Sequence, residues 1–300
     1  MSVLLAVLSA LVWGTADYIG GQASRRAEST VVTLTGQTAG LLAVLIVIPI
    51  VGDALPPAAD WGYGFLAGAF GGVALMCFYR ALATGAMTVV APIAGVTCAL
   101  VPAVWGLSTG ARPSGAALVG VGVALVSIAL VSGAGARSQD PEEQHTPRSA
   151  HLLALVAGLG FGLLSVTLSY TSGEGGLWPV VAMRCTSLPL TAVVAARAVR
   201  MRSSHVASAD GAPSFSTLPW RLGGTVLVLA LVGGTLDTSA NVLYLFSTRS
   251  GLLAVVGVIA AMYPATTVVL AFVRDRERVS ALQATGLGLA VAALVLVARG

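Results

Sequence analysis

The chain has 300 residues, of which 56% are hydrophobic and only 9% charged, with a mean hydropathy of +0.91 and a formal charge of +4. A soluble domain carries about 25% charged residues, so this composition excludes one and describes an integral membrane protein. The apolar runs leave no intervening stretch long enough for a separate folded head, which excludes a catalytic domain outside the bilayer.

Ten runs follow in chain order, at 2–22, 30–51, 61–83, 87–107, 115–132, 151–171, 178–198, 221–244, 252–273 and 281–298. They are too long and too continuously apolar for barrel strands, so each is expected to be a spanning helix. The first lacks the basic start and the small-residue cleavage site of a signal peptide and stays in place as a helix; it holds Trp13, Asp17 and Tyr18. The third carries Gly64, Gly68 and Gly72 at close-packing spacing, as does the sixth with Gly158 and Gly162. Pro92 and Pro102 in the fourth run and Pro264 in the ninth remove backbone hydrogen bonds inside helices. Such breaks survive where protein or a wet cavity covers them, so these three prolines are expected to be helix breaks near a cavity, with ordinary kinks as the alternative. The loop at 133–150 is polar and contains proline, and a second, Ser/Ala-rich connector is expected from about Val199 to Pro219.

The second half replays the first. YRALATGAMTVVAP from Tyr79 returns as YLFSTRSGLLAVVG from Tyr244, 165 positions on, and RPSGAALVGVG from Arg112 returns as RVSALQATGLG from Arg278, 166 positions on. The chain therefore divides into a five-helix repeat at 1–132, an inter-repeat loop at 133–150 and a second five-helix repeat at 151–300. Basic loops stay cytoplasmic. Twelve arginines fall on one side of the expected membrane and only Arg112, Arg249 and Arg299 on the other, which places both termini outside. Equivalent loops of the halves carry opposite bias, ASRRAE against SGEGG for example, so the repeats are expected to be inverted. Lysine is absent, and the all-arginine basic set reads as genome-wide codon bias, so the pI of about 9.3 signals no nucleic-acid partner. Cys77, Cys98 and Cys185 lie in apolar runs without metal-ligand spacing, and neither a metal nor a cofactor is expected.

These features resemble the drug/metabolite transporter superfamily, specifically EamA-type permeases. The matching residues are Trp13-Gly14, Tyr79-Arg80-Ala81-Leu82 leading through VVAPIAGV, Ala182-Met183-Arg184-Cys185, Tyr263-Pro264, Arg276-Glu277-Arg278 and Gly286. The first repeat departs from the pattern, with Gly110-Ala111-Arg112 where the family carries an acid. The resemblance implies a multi-pass, ten-helix secondary transporter of the cytoplasmic membrane, often an exporter of amino acids, other metabolites or drugs.

Ionisable groups inside spans cost at least about 2.5–3.5 kcal/mol each to insert and mark functional interiors. Asp17 is one candidate, for proton coupling or for contact with water near its helix end. Asp237 is better placed, near the middle of its run with Asn241 one turn on and Tyr244 following. Arg184 calls for an acid, either Asp17 or Asp237, or for an anionic group of the solute. Trp13, Tyr18, Tyr79, Tyr244 and Tyr263 are candidates for the wall of a solute cavity, with the membrane interface as the alternative, whereas Trp61, Trp178 and Trp220 begin spans and suit the interface better. Arg80 and Arg249 lie near helix ends and are expected to snorkel. The expected function is export of a small solute by alternating access, with protons as a second partner. An intramembrane enzyme or a lipid carrier or scaffold is the alternative, but the three histidines stand in or beside loops, no acid pair or P-loop is visible, and so no enzyme is expected.

Overall fold

In hydrocarbon no water is available to an open amide, so an apolar run must satisfy its own backbone, and helix does so within one segment. The computed structural model of the chain describes residues 1–84, 87–134, 147–207, 222–275 and 280–299. Among the described residues the elements are α1 (Ser2–Ser24), α2 (Ser29–Val51), α3 (Ala58–Thr84), α4 (Met87–Ser108), α5 (Gly115–Ala134), α6 (Arg148–Ser169), α7 (Trp178–Ala207), α8 (Gly224–Ser250), α9 (Leu253–Ala260), α10 (Tyr263–Asp275) and α11 (Ala281–Arg299), with one 3-10 turn at Gly173–Gly175 and no strand. Among the described residues seven helical stretches are long and apolar enough to cross a bilayer, and Ile93–Ser108, Gly115–Val131 and Trp178–Val194 are shorter apolar ones, which together fall on the ten expected runs. The protein is all-α and multi-pass. Leu42, Ile46 and Ile50 show the consequence on α2, where a stripe at i, i+4, i+8 stands exposed as a lipid-facing surface should.

Three elements differ from the sequence expectation. The ninth run is two helices, α9 and α10, parted at Ala261 and Met262 just before Tyr263-Pro264. Pro264 has no N–H to donate and its ring crowds the preceding turn, so the helix restarts around it. The eighth run extends to Ser250, because Ser247 and Thr248 satisfy their hydroxyls on the carbonyls of Tyr244 and Leu245 at 2.7 and 2.8 Å. The seventh continues to Ala207, past the expected start of the connector, since the Ala, Arg and Met of ARAVRMR are good helix formers even where polar. Most of the inter-repeat loop, Trp220 and Arg276-Glu277-Arg278 lie outside the described residues.

Packing is consistent with the expected repeat. α1 lies chiefly on α8 and α3 chiefly on α6; α2 packs on α8 as α3 does on α7; α4 packs on α6 as α9 and α10 do on α1. Exchanging the first run for the sixth, the second for the seventh and so on maps each of these pairs onto its partner. Equivalent helices also meet one another directly. A Cβ on Gly120 of α5 would fall 2.8 Å from Val297 of α11, and one on Gly286 of α11 would fall 2.8 Å from Val131 of α5, so the two glycines make reciprocal close approaches along antiparallel helices. Ser127 Oγ donates to the Gly286 carbonyl across the same seam at 2.8 Å. Pro102 and Gly106 of α4 meet Gly257 and Ala254 of α9 in the same antiparallel sense. A core of Ala6, Ala99, Ala103, Val121, Ile128, Val256, Ile259 and Ala293 binds α1, α4, α5, α9 and α11 together, with alanines where backbones approach most closely.

Candidate functional site

Gly64, Gly68 and Gly72 let α3 approach α7 closely; a Cβ on Gly64 would fall 2.6 Å from that of Ala182. Gly36, Gly40 and Gly234 do the same for α2 and α8. These seams carry Arg184 on α7 to Asp237 on α8, where Arg184 Nη2 donates to Asp237 Oδ2 in an ion pair and to Thr238 Oγ1 at 3.0 Å. Of the two partners left open by the sequence, Asp237 is the one that pairs. The two side chains are 6% and 38% exposed, so the guanidinium is buried while the carboxylate reaches an opening. Arg184 Nε is buried without a hydrogen-bond partner. The Asn241 amide donates to the Asp237 carbonyl at 2.8 Å, one turn back on α8.

Asp17 occupies α1 on the stripe Ala6, Ala10, Trp13, Asp17, spaced i, i+4, i+7, i+11 on one face. Ala6 and Ala10 are buried, Trp13 is half-buried, and Asp17 is exposed. The exposed leucines Leu4, Leu8 and Leu11 lie on another side of the helix. Asp17 is thus exposed on the side of α1 that faces the bundle rather than on the side of the leucines, and exposure along this stripe grows toward the end that carries Arg25 and Arg26. The Asp17 charge acts on Asp237 and on the Tyr263 hydroxyl, so the three share one neighbourhood. Trp13 stands 5.7 Å from Tyr244 and 6.4 Å from Tyr263, ring centre to ring centre, the second contact edge-on. Tyr263 begins α10 at the helix break, and Thr267 Oγ1 one turn on donates to the Gly14 carbonyl of α1 at 3.1 Å.

The expected site residues thus divide. Asp17, Trp13, Tyr263 and Asp237 come together with some exposure, and Arg184, Asn241 and Tyr244 lie beneath them as buried support, the Tyr244 hydroxyl donating to the Ser165 carbonyl at 3.2 Å. Tyr18 stands apart, on the same side of α1 as Leu4 and Leu11, and its hydroxyl accepts from Gln22 at 3.4 Å. Pro264 flanks the break; Pro102 is buried against Gly257 inside an uninterrupted α4; the Pro92 side chain lies outside the described residues. Gln37 on α2 was not anticipated. Its Oε1 accepts from Ser187 and Thr191 of α7, at 3.4 Å each, and the glutamine within an apolar run was the signal that could have found it.

A second polar cluster sits at the arginine-poor end. Asp60 at the start of α3 is 2% exposed and accepts from the Ser172 amide at 2.8 Å and the Ser172 hydroxyl at 2.7 Å. Asp53 accepts from the Leu177 amide at 2.8 Å. Gly176 turns through φ +50 directly against the Asp53 carboxylate, a place with no room for a side chain, and its carbonyl accepts from Arg249 Nη2 at 2.8 Å. Arg249 also lies 4.9 Å over the Phe246 ring, so it holds a loop rather than merely reaching for water. Together Asp53, Asp60 and Arg249 strap the α6–α7 loop over this end of the bundle, where Trp61 and Trp178 also pair at 5.5 Å.

The model of the EamA-like transporter family matches residues 1–133. That match makes the N-terminal part of the chain similar to this family. The EamA-like family is one of transporters, which supports transport of a small solute across a membrane as the activity. Among 29 solved chains that match, one titled "Crystal structure of protein" superposes with a TM-score of 0.70 at 18% identity, over 98% of this chain and 95% of that one. At that identity the likeness speaks for the fold over its whole length, including the half that the EamA-like model does not reach. No curated protein matches the chain.

Proposed function

We propose that the protein is a secondary-active exporter of the cytoplasmic membrane, built from two inverted five-helix repeats at 1–132 and 151–300 and working by alternating access. The observation that carries this reading is Asp17: an acid two turns inside its span, on the inward stripe of α1, yet exposed. Lipid does not tolerate such a group and a packed interior would bury it, so a wet cleft must reach it from the arginine-rich end. The strap of Asp53, Asp60 and Arg249 closes the opposite end. By the bias of basic loops the open end is cytoplasmic, which is the state in which an exporter loads. The antiparallel packing of α5 on α11 and of α4 on α9 supports inversion of the repeats. Rocking of one repeat against the other would release the strap and bury Asp17 toward the loading side. Either Asp17 or Asp237 can carry the proton that couples release to a gradient.

Vesicles holding the pure protein and preloaded with a cytosolic small-molecule extract test this. Solute-dependent counterflow is expected, with at least one solute exchanging across the membrane. An enzyme or a scaffold of the same fold would show no counterflow, and that result would overturn the reading. Asp237→Asn with export still dependent on a pH gradient would assign coupling to Asp17.

A further inference from the structure

Resting on the transporter reading, we infer that the cleft beside Asp17 takes an organic cation, an amine or quaternary ammonium group seated between the Asp17 carboxylate and the rings of Trp13 and Tyr263. The charge inventory of the described interior gives the sign. Arg184 is matched by Asp237 in the ion pair, whereas Asp17 has neither a hydrogen bond nor an ion pair among the described residues. Asp17 is therefore a carboxyl without a counter-charge among the described residues of the membrane interior. A cation from solution supplies what the chain does not.

The surrounding side chains favour the same class. Trp13 and Asp17 are one turn apart on the same face of α1, so a cation on the carboxylate lies beside the indole. Tyr263 meets Trp13 edge-on with centres 6.4 Å apart, and both rings are half-buried with surface left to offer. Aromatic faces attract a cation within about 6 Å and suit an apolar body attached to it. The Arg184 and Asn241 groups that could recognise an anion or a neutral polar solute are enclosed, the unpartnered Arg184 Nε included. Arg184 is buried with its Nη2 given to Asp237 and Thr238, and the buried Asn241 amide is given to the Asp237 carbonyl.

Binding of radiolabelled benzyltrimethylammonium to the full chain in lipid nanodiscs tests this, with phenylalanine and 3-phenylpropanoate as zwitterionic and anionic competitors of similar shape. Saturable binding of the cation is expected, lowered about tenfold or more in Asp17→Asn and largely retained in Asp17→Glu, whose thermal unfolding also shows that the position tolerates change. Neither competitor should displace it. Absence of saturable binding, equal binding to Asp17→Asn, or displacement by the anion or the zwitterion would overturn the assignment. Counterflow separates this failure from that of the transport reading. A cation that binds through Asp17 but never exchanges across the vesicle keeps the site and removes the transporter, whereas exchange of other solutes without cation binding does the reverse.

Discussion

At the scale of single residues, the two acids of the interior should respond differently to loss of charge. Asp237 neutralises a buried guanidinium, so Asp237→Asn leaves Arg184 uncompensated and should cost about 2–3 kcal/mol, somewhat under the value for a fully buried pair because the carboxylate is 38% exposed. A lowered thermal midpoint of the purified protein, with Arg184→Met/Asp237→Leu recovering part of it, is the expected result. Asp17 has no such partner among the described residues, and Asp17→Asn should leave the midpoint unchanged or raised while transport falls, the pattern of a group kept for function at the expense of stability. Equal destabilisation by both variants would make Asp17 a structural residue. The contrast was only partly legible in the sequence. Charged residues in apolar runs announce themselves, and Asp17, Arg184 and Asp237 all stood out. Which acid pairs with Arg184 depends on the rotation of α7 against α8, set by glycine contacts between distant segments, and no local spacing encodes that. Tyr18 shows the limit from the other side, since an aromatic next to Asp17 in sequence projects about 100° away from it on the helix.

At the scale of elements, the glycine seams and the strap are separate devices. The stripe Gly64, Gly68, Gly72 exists so that α3 can lie against α7, and Gly64→Leu would drive a branched side chain into Ala182 and Pro179. Overpacking of this kind costs about 1–3 kcal/mol, to be seen as a lower midpoint and weaker retention of the folded protein in detergent. The strap should act on conformation more than on folding. Asp60→Ala removes both acceptors of Ser172 and frees the α6–α7 loop, so a reporter cysteine placed at Ser172 should become more reactive toward a membrane-impermeant thiol reagent applied from the arginine-poor side. Unchanged reactivity would mean that Asp53 and Arg249 suffice to hold the loop. Helix positions were readable because a run of apolar residues in lipid has one outcome. The break between α9 and α10 was foreshadowed by Pro264, yet Pro102 sits in an unbroken α4, so a proline marks where a helix is able to part and the packing around it decides. The strap went unnoticed because its acids lie in ordinary turn sequences, PPAAD and GDALPP, whose partners are more than a hundred residues away.

At the scale of the whole molecule, pseudo-symmetry of the helices coexists with asymmetry of the polar groups. The paired contacts of α1 with α8 and α3 with α6 follow the internal repeat, but the repeat offset of 165 or 166 carries Asp237 back to Gly72 or Gly71, so the ion pair has no counterpart in the first half. On the proposed mechanism the two similar bundles rock as alternatives, and the charged groups of one half bias which alternative is occupied. The central claim is that a wet cleft at mid-depth opens to one side at a time. Its most direct test is a cysteine in place of Asp17, in a chain whose Cys77, Cys98 and Cys185 are replaced by alanine, probed in oriented vesicles with an impermeant thiol reagent from each side. Labelling from the arginine-rich side alone, shifting toward the other side when Asp60→Ala is added, is the result this account predicts; labelling from neither side, or equally from both, would contradict it.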